Sequence, residues 1–165
     1  MKKVCSLVAV ALLTSVSSMA LAADPTGLLS AGFSAIKHSQ WVSGAEFSSA
    51  ALKMPGLTEA QEIIALNNLC IAMGNLPDKG KALDVCDKAV EAAPERWSGY
   101  SNRGYLKLSM GLASAAATDF AQAKLLNPDQ YLSDLATRTP MEMPQNYFLA
   151  MRPLQETGVQ QAEMK

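Results

Sequence analysis

The sequence predicts an all-α chain, a short α-solenoid of antiparallel helix pairs, about two and a half to three repeats long, closed by a C-terminal capping segment. Three observations predict it. Between Ile63 and Pro128 one 34-residue unit is written twice: Leu66 falls on Tyr100, Asn68 on Asn102, Cys70 on Gly104, Ala82 on Ala116, Cys86 on Phe120, Ala89 on Ala123 and Pro94 on Pro128. A fixed period of this size marks a repeat architecture. Within each unit the apolar residues recur at helical spacing, and the links between helices are so short that neighbours must run antiparallel.

Taken in order, residues 1–22 read as a secretory signal peptide. Lys2 and Lys3 precede a largely apolar run from Val4 to Val16, and Ala20-Leu21-Ala22 offers a small-residue cleavage site after Ala22. The run is shorter than the ~20 residues of a comfortable membrane span. Export to the periplasm is expected, Cys5 leaves with the signal, and no later segment reads as a membrane span. Loss of Lys2 and Lys3 takes the formal charge from −1 to −3. No basic stripe with interleaved aromatics is present, so a nucleic-acid partner is not expected.

Residues 23–57 read as a worn first helix pair. Placing Gly32, Gly44 and Ala51 on Cys70, Ala82 and Ala89 keeps the close-approach positions small at an offset of 38, with about one extra helical turn absorbed near Pro55-Gly56-Leu57 and the start of the next helix. Residues 58–94 form the next repeat. Thr58 and Gln61 read as a capping box, Ile63, Leu66, Leu69, Ile71 and Met73 as the apolar face, and Gly74-Asn75 as the stop. A second helix from about Asp78 to Ala92 ends before Pro94. Residues 95–128 repeat the scheme, with Gly111 in the turn and Asn127-Pro128 as the break. In residues 129–165 a helix is expected to Arg138 and a short one over Gln145 to Arg152, the segment covering the exposed end of the stack.

Tyr100, Asn102-Arg103-Gly104, Leu108, Gly111, Ala116, Asp119-Phe120, Ala123 and Pro128 together resemble a tetratricopeptide repeat. Leu66, Asn68-Leu69-Cys70, Ala82, Cys86, Ala89 and Pro94 resemble a second copy, in which cysteines replace a small and an aromatic residue. The resemblance covers Ile63 to Pro128 and is weaker in the first copy. It implies antiparallel pairs stacked in a right-handed superhelix, a concave groove lined by the first helix of each pair, and a scaffold that binds peptides or proteins rather than an enzyme. It also implies that Asn67, Asn68, Ile71, Ser101, Asn102 and Tyr105 line that groove. An amide both donates and accepts, so Asn68 with Asn102 would hold an extended backbone without reading its side chains. The basic clamp by which some members grip a terminal carboxylate is not evident.

Residues 16 apart across such a hairpin can face one another. This spacing joins Cys70 to Cys86, Leu69 to Val85 and Arg103 to Asp119, and predicts an Arg103–Asp119 ion pair. Export favours a Cys70–Cys86 disulfide; two buried thiols filling space is the alternative, and a redox pair is disfavoured by the spacing. His38 stands alone among histidines, which excludes a histidine pair for a metal. Met141-Glu142-Met143 reads as cap filling rather than a soft-metal site. No phosphate loop and no nucleophile with a convincing base is present, so no catalytic residue, metal or cofactor is expected. The expected role is a periplasmic adaptor with a protein or peptide partner of unknown identity. A self-associating envelope protein and a thiol-redox accessory are the alternatives.

Overall fold

The computed structural model describes residues 24–130. The expected signal segment with Cys5, Met141-Glu142-Met143 and the capping stretch beyond residue 130 lie outside them. Among the described residues the chain forms six complete helices and no strand: α1 Pro25–Lys37, α2 Trp41–Leu52, α3 Glu59–Gly74, α4 Lys79–Ala92, α5 Trp97–Ser109 and α6 Ala113–Leu126, with residues 128–130 opening a further helical turn.

Local chemistry sets these boundaries. Asp24 caps α1 by accepting from the Gly27 N–H at 2.6 Å, and Pro25 takes the first helical position, where no N–H is needed. The two helices of the first pair are parted at His38-Ser39-Gln40, where Ser39 adopts a φ of 56°. Thr58 and Gln61 close a capping box on α3: the Gln61 N–H donates to Thr58 Oγ1 at 3.3 Å and the Thr58 N–H to Gln61 Oε1 at 3.0 Å. At the other end the Lys79 ammonium donates to the Gly74 carbonyl, placing a cation where the last carbonyls of α3 are unpaired. Gly111, at φ 79°, turns the chain between α5 and α6. Pro94 and Pro128 each follow a helix end by two residues.

The helices pack as three hairpins, α1 with α2, α3 with α4 and α5 with α6, and each hairpin leans on the next through α2 with α3 and α4 with α5. The odd-numbered helices also pack directly on one another, α1 on α3 and α3 on α5, whereas the even-numbered ones make at most marginal contact among themselves. The odd helices therefore form a tight inner layer and the even ones a splayed outer layer, the arrangement of a helical-repeat solenoid.

One close couple, 16 residues apart, sits at the centre of every hairpin. In the first, a Cβ added to Gly32 would lie 2.9 Å from Ser48 Oγ. In the second, Cys70 and Cys86 are joined by a disulfide with their Cα atoms 4.9 Å apart. In the third, a Cβ on Gly104 would lie 2.7 Å from the Phe120 ring. The facing positions Ala51, Ala82, Ala89, Ala116 and Ala123 are fully or almost fully buried. The four additional residues of the first copy enter largely as an extra opening turn of α3, which has 16 residues against 13 in α5. Three small cores follow along the stack, the first two shared with the next hairpin: Leu29 and Ala51 with Ala65 of α3; Cys70, Ala82 and Cys86 with Leu106 of α5; then Leu108, Ala116, Phe120 and Ala123, with Tyr105 edge-on to Phe120 at 5.1 Å.

Candidate functional site

Side-chain hydrogen bonds across the inner layer locate its open face. Gln61 Nε2 of α3 donates to Thr26 Oγ1 of α1 at 3.3 Å, and Asn102 Nδ2 of α5 donates to Asn67 Oδ1 of α3 at 3.1 Å. On α3 these residues mark a stripe of Gln61, Ile64, Asn67 and Ile71, spaced three or four apart and so aligned on one face. The same spacing carries Thr26 through Ser30 and Phe33 to Lys37 on α1, and Ser98 through Asn102 and Tyr105 to Ser109 on α5. Of these twelve positions only Lys37 carries a charge at neutral pH, and its ammonium sits 5.9 Å over the Phe33 ring. Large apolar side chains are left in solvent there: Phe33 is 57% exposed and Ile64 44%.

The structure sorts the six residues expected to line a groove. Asn67, Ile71, Asn102 and Tyr105 are half-buried on or beside this face, Tyr105 leaning onto Phe120. Asn68 and Ser101 are buried among the helices and do not line an open surface. The amide pair along the inner layer is therefore Asn67 with Asn102, 35 residues apart, and not Asn68 with Asn102. The reason is stagger: α3 and α5 meet one residue out of step with the 34-residue period that relates them. Asn67 is oriented from its own helix, Nδ2 donating to the Ile63 carbonyl at 2.9 Å, which turns its oxygen toward Asn102. The Asn68 amide nitrogen is buried without a hydrogen-bond partner. The expected groove set omits Phe33, which reads only as part of the apolar pattern of the first copy, although a signal existed: Phe33, Ile71 and Tyr105 occupy one repeat position at the offsets of 38 and 34.

A second polar feature lies between the layers. Arg103 Nε donates to Asp119 Oδ2 at 3.0 Å and Nη2 to Asp119 Oδ1 at 2.7 Å, a two-point pairing of α5 with α6. Its Nη1 donates to Asp87 Oδ1 of α4 at 2.8 Å, and Lys107 Nζ lies 2.8 Å from Asp119 Oδ2. The Arg103–Asp119 pair is the one the 16-residue spacing predicts. Asp87 reads from the sequence as a solvated carboxylate, yet it lies the same 16 residues on the other side of Arg103 and pairs with it across a repeat boundary. The pKa of Arg103 is raised above its ordinary value, first by the hydrogen bond to Asp119 and against the opposing effect of burial. Arg103 also sits 5.6 Å over the Tyr100 ring, and both border a shallow depression of about 560 Å³ with Thr118, Asp119, Ala121, Gln122 and Leu125.

Among the described residues no group of three metal-ligating side chains converges, and no helix is long and apolar enough to cross a membrane. Cys70 and Cys86 are 1% and 0% exposed, which shields the disulfide from exchange with an outside thiol. His38 is exposed, with Nδ1 2.8 Å from the Ser34 carbonyl.

No family model matches the chain, and no curated protein matches it. Among solved structures it is similar to the Arabidopsis OM64 TPR domain, at 22% sequence identity and a TM-score of 0.58, over 81% of this chain and 95% of that one. The architecture is thus that of a tetratricopeptide-repeat domain, an all-helical solenoid of stacked hairpins.

Proposed function

We infer that the chain is a non-enzymatic scaffold that captures a protein or peptide partner on its inner face after export to the periplasm. The observation that carries this reading is the twelve-position inner surface, with Lys37 as its one charge and with Phe33 and Ile64 held in solvent. Apolar side chains exposed beside oriented amides suit an extended segment: amides pair with its backbone while the apolar residues cover its side chains. The scarcity of basic residues argues against a partner held by a terminal carboxylate. Export is supported by the order of charge, apolar run and small residues over residues 1–22, and by the cysteine pair in the mature chain.

Site-specific photo-crosslinking in a bacterial host tests this. A benzophenone side chain at Ile64 is expected to capture a partner, and one at Glu91, exposed on the outer helix α4, is not. Equal capture at both positions, or none at Ile64, would remove the inner face from the function. A second reading, self-association, rests on Leu125, 75% exposed beside the depression at the end of the stack. Sedimentation velocity of Leu125→Glu against the parent separates the two: a shift from dimer to monomer supports pairing of stack ends.

A further inference from the structure

We propose that the chain is a substrate of a thiol–disulfide oxidoreductase, which makes the Cys70–Cys86 bond before the third hairpin packs; the third hairpin then seals the sulfurs. Where the bond sits carries this. Cys70 and Cys86 are buried in a core with Ala82 and Leu106, and Met73, Leu83, Val85 and Met110 pack around it. Ala82, Met73, Leu83 and Val85 belong to the same hairpin as the cysteines. Leu106 and Met110 do not: they come from α5 and its C-cap, the stretch of chain that follows. Buried Leu106 also reaches the last turn of α3, its Cδ1 lying 3.8 Å from where a Cβ on Gly74 would stand. The outer cover of the disulfide is therefore supplied from the C-terminal side, by residues synthesised after both cysteines. The two cysteines themselves lie 16 residues apart in one hairpin, so their bond can form without waiting for α5.

This order selects the chemistry. One cysteine thiolate attacks a sulfur of the oxidoreductase disulfide and expels the other sulfur as a thiolate; the second cysteine thiolate then attacks the chain-side sulfur of the mixed disulfide and expels the enzyme's remaining thiolate. The two cysteine thiols give up two protons and two electrons, and the enzyme leaves as a dithiol. Either attack needs the oxidant to reach a chain sulfur, and the packed core leaves no approach. Timing decides the class of oxidant. Each helix packs mainly on its neighbours in sequence, and helical chains of this local kind fold in roughly microseconds to milliseconds, whereas uncatalysed disulfide formation takes on the order of seconds to hours. A small-molecule oxidant arrives after α5 has closed over the pair, so oxidation of the open chain needs a catalyst. The sealed bond also sets aside a redox role for the pair: the chain receives a disulfide and does not pass one on.

The test uses the full chain, reduced, with oxidised glutathione as the probe and free thiols counted by alkylation and mass. Chain held in urea is expected to form the bond at least about a hundredfold faster than chain first refolded in buffer at the same pH, with circular dichroism reporting the helices of the refolded sample. Leu106→Ala is expected to speed oxidation of the folded chain at least about tenfold. Leu108→Ala, an equal cut in the neighbouring core that does not touch the cysteines, is not. Leu106→Val takes its place if the larger cut abolishes the helical signal. On dilution from urea, glutathione alone is expected to leave most molecules reduced, and a catalytic amount of a thiol–disulfide oxidoreductase in its disulfide form to raise the oxidised fraction severalfold. Equal rates in urea and buffer would overturn the seal, as would a reduced chain that stays unfolded, since no packed dithiol then exists. Equal acceleration by the two leucine cuts would place the barrier in general opening of the fold and overturn α5 as the cover. Complete oxidation by glutathione alone on dilution would overturn the catalysed step.

Discussion

Gly104 has no room for a side chain: a Cβ there would meet the Phe120 ring at 2.7 and 2.9 Å, and Phe120 is fully buried. Gly104→Ala is therefore expected to destabilise by about 1–3 kcal/mol through overpacking, read as a lower urea midpoint at unchanged slope. Phe120→Leu in the same chain should restore part of the loss by vacating the ring edge. Arg103 and Asp119 show a different residue-scale balance. Asp119 is buried and holds both Arg103 and Lys107, so Asp119→Ala leaves two cations short of their partner and should cost roughly 3 kcal/mol. The second repeat fills the same positions with Leu69 and Val85. Arg103→Leu with Asp119→Val and, as at Met73 of the second repeat, Lys107→Met should accordingly recover most of that loss in a denaturant melt, since apolar residues of similar size commonly replace a buried ion pair without penalty. Raised pKa on Arg103 means its contribution is present at all pH values below its unfolded value and is lost only as the pH rises through the folded one. Both lie at extreme alkalinity, so Arg103 adds no slope to stability near neutral pH.

At the scale of elements, the hairpins are variations on one joint. Gly32 with Ser48, Cys70 with Cys86 and Gly104 with Phe120 place small-and-small, bonded and small-and-large couples at the same point of closest approach. The disulfide closes a loop of 15 residues and on chain-entropy grounds contributes ~3 kcal/mol. Grafting the third couple onto the second hairpin, Cys70→Gly with Cys86→Phe, should give a folded chain of lower thermal stability that ignores reductant, whereas the parent melts earlier once reduced. A graft that melts at the parent's temperature would mean that packing alone carries the joint. The Cys70–Cys86 couple was legible from spacing, because a short turn forces antiparallel neighbours and antiparallel geometry sets which residues meet; the Gly32–Ser48 couple, in the worn first copy, was not. Contacts between repeats were less so. Asn67 with Asn102 and Asp87 with Arg103 depend on how one hairpin is rotated and shifted against the next, and a period of 34 does not encode that shift. Asn68 was for this reason placed on the surface by the repeat alignment, while its helix turns it inward.

For the whole molecule, the compartment and the oxidation state stand together. Intact-mass measurement of the protein from a bacterial envelope fraction is expected to give a chain starting at Ala23 with no alkylatable thiol until reduced. A retained N-terminus, or two free thiols in the denatured unreduced protein, would overturn export or the staple respectively. Fold class was legible because each unit restates the same small residues and prolines; the bare apolar inner face was not, because Phe33 sits in the copy whose register is offset by 38. The division into a packed inner layer and a splayed outer one also governs how the molecule deforms. A change of curvature opens or narrows the gaps between α2, α4 and α6 while breaking few contacts, since those helices barely touch. Arg103 spans the gap between α4 and α6, gripping Asp87 on one side and Asp119 on the other, and no comparable tie joins α2 to α4 among the described residues. The two joints of the solenoid are therefore secured differently: α3 packs broadly on both α1 and α2, whereas the thinner packing of α5 on α3 and α4 is supplemented by the Arg103 tie, and loss of that tie loosens the joint nearer the C-terminus.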